Sequence, residues 1–140
     1  MKLNVYEVVQ KANSARYKAD KIRILQENES WALKDVLRGT FDSTVKWLLP
    51  PGEPPFKPND GHNAPSNLLK RNTEFRYFVK GGGHEKMPSF KRESMFVRLI
   101  ESIHPDDARL VIAMINKEKP KNITRNIVEE AFPGLLLDQP

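Results

Sequence analysis

The chain has 140 residues, a formal net charge of +5, 39% hydrophobic and 29% charged residues, and no cysteine. Its length fits a single domain that buries roughly 70% of the surface its unfolded form exposes, and its periodic apolar residues argue against a disordered segment. Disulfides, thiolate metal sites and a cysteine nucleophile are excluded; no run approaches the ~18 apolar residues of a membrane span, and the opening MKLNVYEVVQKAN lacks the apolar stretch of a signal peptide.

Asn4 reads as a helix N-cap with Glu7 placed to reach back to its N–H, and Val5, Val8, Val9 and Ala12 make one helical stripe. Ser14 is positioned to cap a second helix with Ala15, Ala19, Ile22 and Leu25 inward and a basic opposite face. Ser30 caps a third, carrying Trp31, Ala32, Leu33, Val36 and Leu37, and Gly39 stands where helices commonly stop. The apolar run Val45 to Leu49 fits either a strand or a helical turn. Residues 50–65 (PPGEPPFKPNDGHNAP) hold six of the eleven prolines and read as an irregular wrapping loop anchored by Phe56.

Residues 67–103 read as a basic helical hairpin. Ser66 caps a helix bearing Leu68, Leu69, Phe75, Phe78 and Val79, and Gly81 to Gly83 end it. A second helix from Pro88-Ser89 bears Phe90, Phe96, Val97, Leu99, Ile100 and Ile103. Pro105 then suits a first helical position, with Asp106 and Asp107 in the favourable first turn and Ala108, Val111, Ile112 and Ile115 inward. Thr124 caps a last helix stopped by Pro133-Gly134, and Leu135 to Leu137 are expected to fold back on the core. The prediction is a mainly α, single compact domain (residues 1–140) of about six or seven short helices, with the long proline-rich loop in the middle.

The runs LKDVLRGTFD (33–42), LPPGEPPF (49–56), FRYFVKGG (75–82), KRESMF (91–96), HPDDARL (104–110) and EEAFP (129–133) resemble an uncharacterised family of small proteins of large tailed bacteriophages, including cyanophages. The resemblance spans nearly the whole chain. It implies a phage origin and expression in a bacterial cytoplasm, and it brings no assigned activity, cofactor or functional residue.

Chemical motifs are scarce. His62, His84 and His104 lie at no metal-ligand spacing, so no metal or cofactor is expected. Gly81-Gly82-Gly83 lacks the Lys-Ser/Thr of a phosphate loop and reads as a flexible turn. Asp106-Asp107 and Glu129-Glu130 are adjacent and point apart on a helix. Charge is the remaining signal. Residues 61–100 carry eight Lys/Arg against three Asp/Glu, whereas residues 1–60 carry ten against eight and residues 101–140 five against seven. That asymmetry suits an anionic partner, and Arg71, Arg76, Lys80, Lys86, Lys91 and Arg92 are the candidate contacts, with Tyr77 a candidate base-stacking ring. The expected function is a non-enzymatic accessory protein that binds nucleic acid, or a host or phage protein of nucleic-acid metabolism. The alternative is a protein-interaction module, either an inhibitor of a host factor or a minor virion component, docking through Pro54, Pro55 and Phe56.

Overall fold

A computed structural model describes residues 2–138. Among them are seven α-helices and one 3-10 segment, with no strand. The helices are α1 (Val5–Ser14), α2 (Lys18–Glu27), α3 (Trp31–Phe41), α4 (Leu68–Arg71), α5 (Ser89–Ser102), α6 (Pro105–Ile115) and α7 (Arg125–Ala131), and the 3-10 segment spans Asn72–Tyr77. One core gathers their apolar faces. Leu25, Leu33, Leu37, Leu68, Phe78, Leu99, Ile100, Ile103 and Met114 are its largest fully enclosed members, each contributing about 1.5–3 kcal/mol of burial.

The N-terminal capping box forms: Asn4 N–H donates to Glu7 Oε1 at 3.0 Å, and Val5, Val8, Val9 and Ala12 are buried. Ser14 closes α1 and does not open α2, which starts at Lys18. In α2 the inward face is turned from the expected one. Leu25 is enclosed and Ile22 half-buried, but Ala19 is exposed and Lys21 is buried. The cause is the Lys21 ammonium, which donates to the terminal carbonyls of α1 at Ala12 and Asn13 (3.1 and 3.3 Å) and also to that of Ala15. Carbonyls at a helix end lack the next turn's donors, and Lys21 adds to the Ala15 N–H on Ala12 and the Asn122 amide on Asn13.

Ser30 caps α3, its Oγ accepting from Leu33 N–H at 3.0 Å. The helix runs through Gly39 to Phe41. A Cβ at residue 39 would lie 2.6 Å from the Trp47 ring and 2.8 Å from Met114 Sδ, so this glycine serves close packing inside the helix and not termination. Termination comes from Lys117, whose Nζ donates to the carbonyls of Gly39 (2.7 Å) and Asp42 (2.9 Å). Val45 to Leu49 forms neither alternative in full: it runs extended, with one isolated antiparallel bridge between Trp47 and Val79.

Residues 50–66 contain no helix or strand and are tied down by side chains and backbone. Asn116 pairs with both backbone groups of Gly52, Asn59 Nδ2 reaches the carbonyls of Glu101 and Ile103, and Ser66 N–H donates to the Ser102 carbonyl. Phe56 packs half-buried against the core.

The first arm of the expected hairpin is not one α-helix. Asn67, not Ser66, is the cap, α4 lasts a single turn, and the 3-10 segment follows. A 3-10 turn aligns residues three apart, which sends Phe75 and Phe78 inward together; both are buried. α4 and the 3-10 segment pack on α3, while α5 packs on α6. The arms meet at the edge-to-face pair Phe78–Phe96, centroids 5.3 Å apart. At the other end Leu135 and Leu136 fold onto the core as expected, but Leu137 is 60% exposed. Asp138 fastens this tail to Arg125 and Ser43.

Candidate nucleic-acid interface

Packing α4 and the 3-10 segment on α3 opens a cleft of about 690 Å³ between them. Trp31, Asp35 and Arg38 form one wall, at helical spacings of four and three on the face of α3 that its core residues leave free. Lys70, Asn72, Thr73 and Arg76 form the other, and Lys80 and Gly81 close one end. Trp47 and Phe75 line it as an edge-to-face pair 6.0 Å apart, with Trp47 Nε1–H donating to the Gly39 carbonyl at 3.1 Å.

The cleft carries four cations, Arg38, Lys70, Arg76 and Lys80, and one acid, Asp35. Lys18, Arg23, Lys34, Arg71, Arg109 and Arg125 are each paired with a carboxylate; among the described residues Lys70, Arg76 and Lys80 have no such pair. Arg38 has only a distant one. Its Nε is 3.7 Å from Asp42 Oδ2 and makes no hydrogen bond, because Asp42 is already engaged by Thr44 and Leu137. Those hydrogen bonds hold the Asp42 carboxyl below its ordinary range despite its burial. Asp35 is different: burial pushes its carboxyl up, against the pull of Asn72, Arg38 and Lys34. Asn72 Nδ2 donates to Asp35 Oδ2 at 2.7 Å.

The residues singled out from sequence divide. Arg76 and Lys80 are exposed and face the cleft. Lys86 and Lys91 are exposed too, but border a separate concavity around the glycine loop. Arg71 is tied to Glu74 and Ser102. Arg92 is 5% exposed; its guanidinium donates to the carbonyls of Tyr77 (3.1 Å), His84 (2.9 Å) and Glu85 (3.4 Å). It fastens the loop from inside and cannot be a surface contact. Tyr77 is half-buried, its ring 4.4 Å from His84 and overlain by Arg76, so its faces are occupied. On the alternative docking surface Pro54 is half-buried, Pro55 exposed and Phe56 committed to the core edge; Pro50 to Pro55 and α5 enclose an apolar groove of about 360 Å³.

Sequence reasoning missed the α3 wall. Trp31, one of the apolar residues carried by this helix, is 75% exposed, with Lys34 Nζ 4.6 Å from its ring centroid. The available signal was its place as the first residue after the Ser30 cap, one position out of phase with Ala32 and Val36.

Among the described residues no helix is long and apolar enough to cross a membrane, and no three His, Asp or Glu converge as metal ligands. Compared with known proteins, residues 8–121 match a family described as a family of unknown function, DUF6433. No curated protein matches the chain.

Proposed function

The chain belongs to DUF6433, a family of unknown function, and we propose that it is a non-enzymatic nucleic-acid-binding module whose contact surface is the cationic cleft between α3 and residues 70–81. The resemblance of its sequence runs to proteins of large tailed bacteriophages supports the further reading that it acts in an infected bacterial cytoplasm, on nucleic acid or on a protein that processes it. One observation carries the reading: among the described residues Lys70, Arg76 and Lys80, none paired with a carboxylate, converge with the loosely held Arg38 on a cleft with a single acid. Clustered cations gain affinity by releasing the counterions condensed on a phosphate backbone. A binding role is favoured over catalysis because, among the described residues, the cleft lining has no histidine and no second carboxylate that could share a proton with Asp35, which accepts from the Asn72 amide.

Fluorescence anisotropy with short labelled DNA and RNA at low salt tests this. Wild type binds, and Arg76→Glu with Lys80→Glu abolishes binding while leaving the circular dichroism unchanged, since both side chains are exposed. Undetectable wild-type binding to both nucleic acids at low salt refutes the proposal. A second reading, protein docking in the proline-lined groove over α5, rests on that groove's apolar lining; a pull-down with and without nuclease separates the two.

A further inference from the structure

The cleft is not a flat cationic face. It combines a cationic rim with an exposed indole and a recessed carboxylate, and these sit together on one helix. Trp31 and Asp35 are four residues apart on α3, so their side chains are neighbours along the cleft. Trp31 is the most exposed aromatic in the cleft wall, at 75%. Large aromatics exposed singly need no explanation, but this one borders a concavity of about 690 Å³ edged by four cations, a size suited to a small organic group.

Asp35 is the anomaly in a cleft built for anions. A carboxylate there repels phosphate, yet it is held in place: Asn72, only 7% exposed, donates to Oδ2 at 2.7 Å. Oδ1 receives no donor among the described residues. An ionised carboxylate only accepts hydrogen bonds, and this oxygen, which is not enclosed, is open to a donor from the ligand. Phosphates and sugars supply negative charge and hydroxyls; among the parts of a nucleotide, the exocyclic amino groups of cytosine, adenine and guanine are the strong donors, and Asp or Glu accepting from cytosine N4 is a known base contact. In a paired duplex the ring is stacked between neighbours, so its face cannot lie against an indole. An unstacked base in a single strand offers both its face and its pairing edge.

We propose that the cleft seats one unstacked, amino-bearing base of a single-stranded nucleic acid. The base lies against Trp31, its amino group donates to Asp35 Oδ1, and the adjoining phosphates are held by Arg38, Arg76 and Lys80. This rests on the nucleic-acid reading above and specifies its ligand. Arg38 contributes because its terminal nitrogens make no hydrogen bond within the protein among the described residues, its one acidic neighbour being occupied elsewhere.

The test compares oligo-dC, oligo-dT and a mixed-sequence duplex of equal length against the full chain by anisotropy. Wild type should bind oligo-dC more tightly than oligo-dT, and oligo-dT more tightly than the duplex. Trp31→Ala should weaken both single strands roughly tenfold, the scale of one base–aromatic stack, and leave the duplex unchanged. Asp35→Asn should erase the preference for dC over dT, because an amide can also donate to the thymine carbonyl, while oligo-dT binding persists. Exposure of Trp31 and partial exposure of Asp35 keep both variants folded, which the retained duplex affinity confirms. The proposal is overturned if both variants bind single strands as wild type does while the Arg76/Lys80 charge reversal still abolishes binding. In that case the cationic surface stands and the base seat does not. Absence of binding by wild type sinks both.

Discussion

Arg92 holds the glycine loop through the carbonyls of Tyr77, His84 and Glu85. Removing it leaves those acceptors enclosed without a donor, so Arg92→Ala is expected to cost about 2–4 kcal/mol of unfolding free energy in a urea titration. Arg92→Lys recovers only part of this, since one ammonium does not reproduce the planar fork. Asp107 is the second residue whose role is internal. It is 1% exposed, accepts from the Tyr6 backbone N–H at 2.9 Å, and burial raises its pKa from 3.8 to about 6. His104 lowers that value, whereas Glu7 and Asp106 raise it. The folded state therefore binds the proton more tightly than the unfolded state. The stability this confers is present below pH ~4 and is lost as pH rises through about 6, a change on the order of 3 kcal/mol. Asp107→Asn, which keeps an acceptor for Tyr6 and cannot ionise, should be more stable than wild type at pH 7 and lack the fall between pH 4.5 and 7. Equal slopes in the two proteins would contradict this.

Among the elements, helix starts were legible except at Ser14 and Ser66, and helix faces less so. Asn4, Ser30 and Thr124 cap where sequence places them, because an N-cap is a local hydrogen bond within three residues. The face of α2 was not legible, because Lys21 is drawn inward by the end of a different helix. Nor was the 3-10 character of Asn72–Tyr77: Phe75 and Phe78 suit an α-helical stripe equally well, and the choice is made by the bridge from Trp47 to Val79 that follows. The glycines illustrate the same point. Gly39 reads as a stop and serves as a packing gap, so Gly39→Ala should displace Trp47 and cost about 1–3 kcal/mol. In the loop Gly81 and Gly83 adopt φ of 88° and 92°, while a Cβ on Gly82 would collide with the Arg76 carbonyl oxygen. Gly82→Ala should therefore loosen the loop, read as lost amide-exchange protection at Lys80, whose N–H donates to the Lys46 carbonyl at 2.8 Å.

For the whole molecule, the fold class followed from periodicity and capping, and the lining of the candidate cleft followed only by half. Arg76 and Lys80 were legible because charge clustering along the chain is a sequence property. Trp31, Asp35 and Arg38 were not, because they reach the cleft through the packing of α3 against residues 68–77, some thirty or more positions away in the chain. Arg71, tied to Glu74 and Ser102, and Arg92, enclosed by the loop carbonyls, are taken out of the contact role that raw charge assigned to them. The family match over residues 8–121 includes both walls of the cleft and leaves α7 outside. The central claim is that these cations neutralise phosphates, and the salt dependence of binding measures it most directly. Log Kobs for oligo-dC against log salt concentration should be linear for wild type, with a slope of about −2 to −3, as three or four phosphate contacts on a single strand require. Lys80→Ala should reduce its magnitude by about 0.7. A wild-type slope near zero, or one that Lys80→Ala leaves unchanged, would contradict the account.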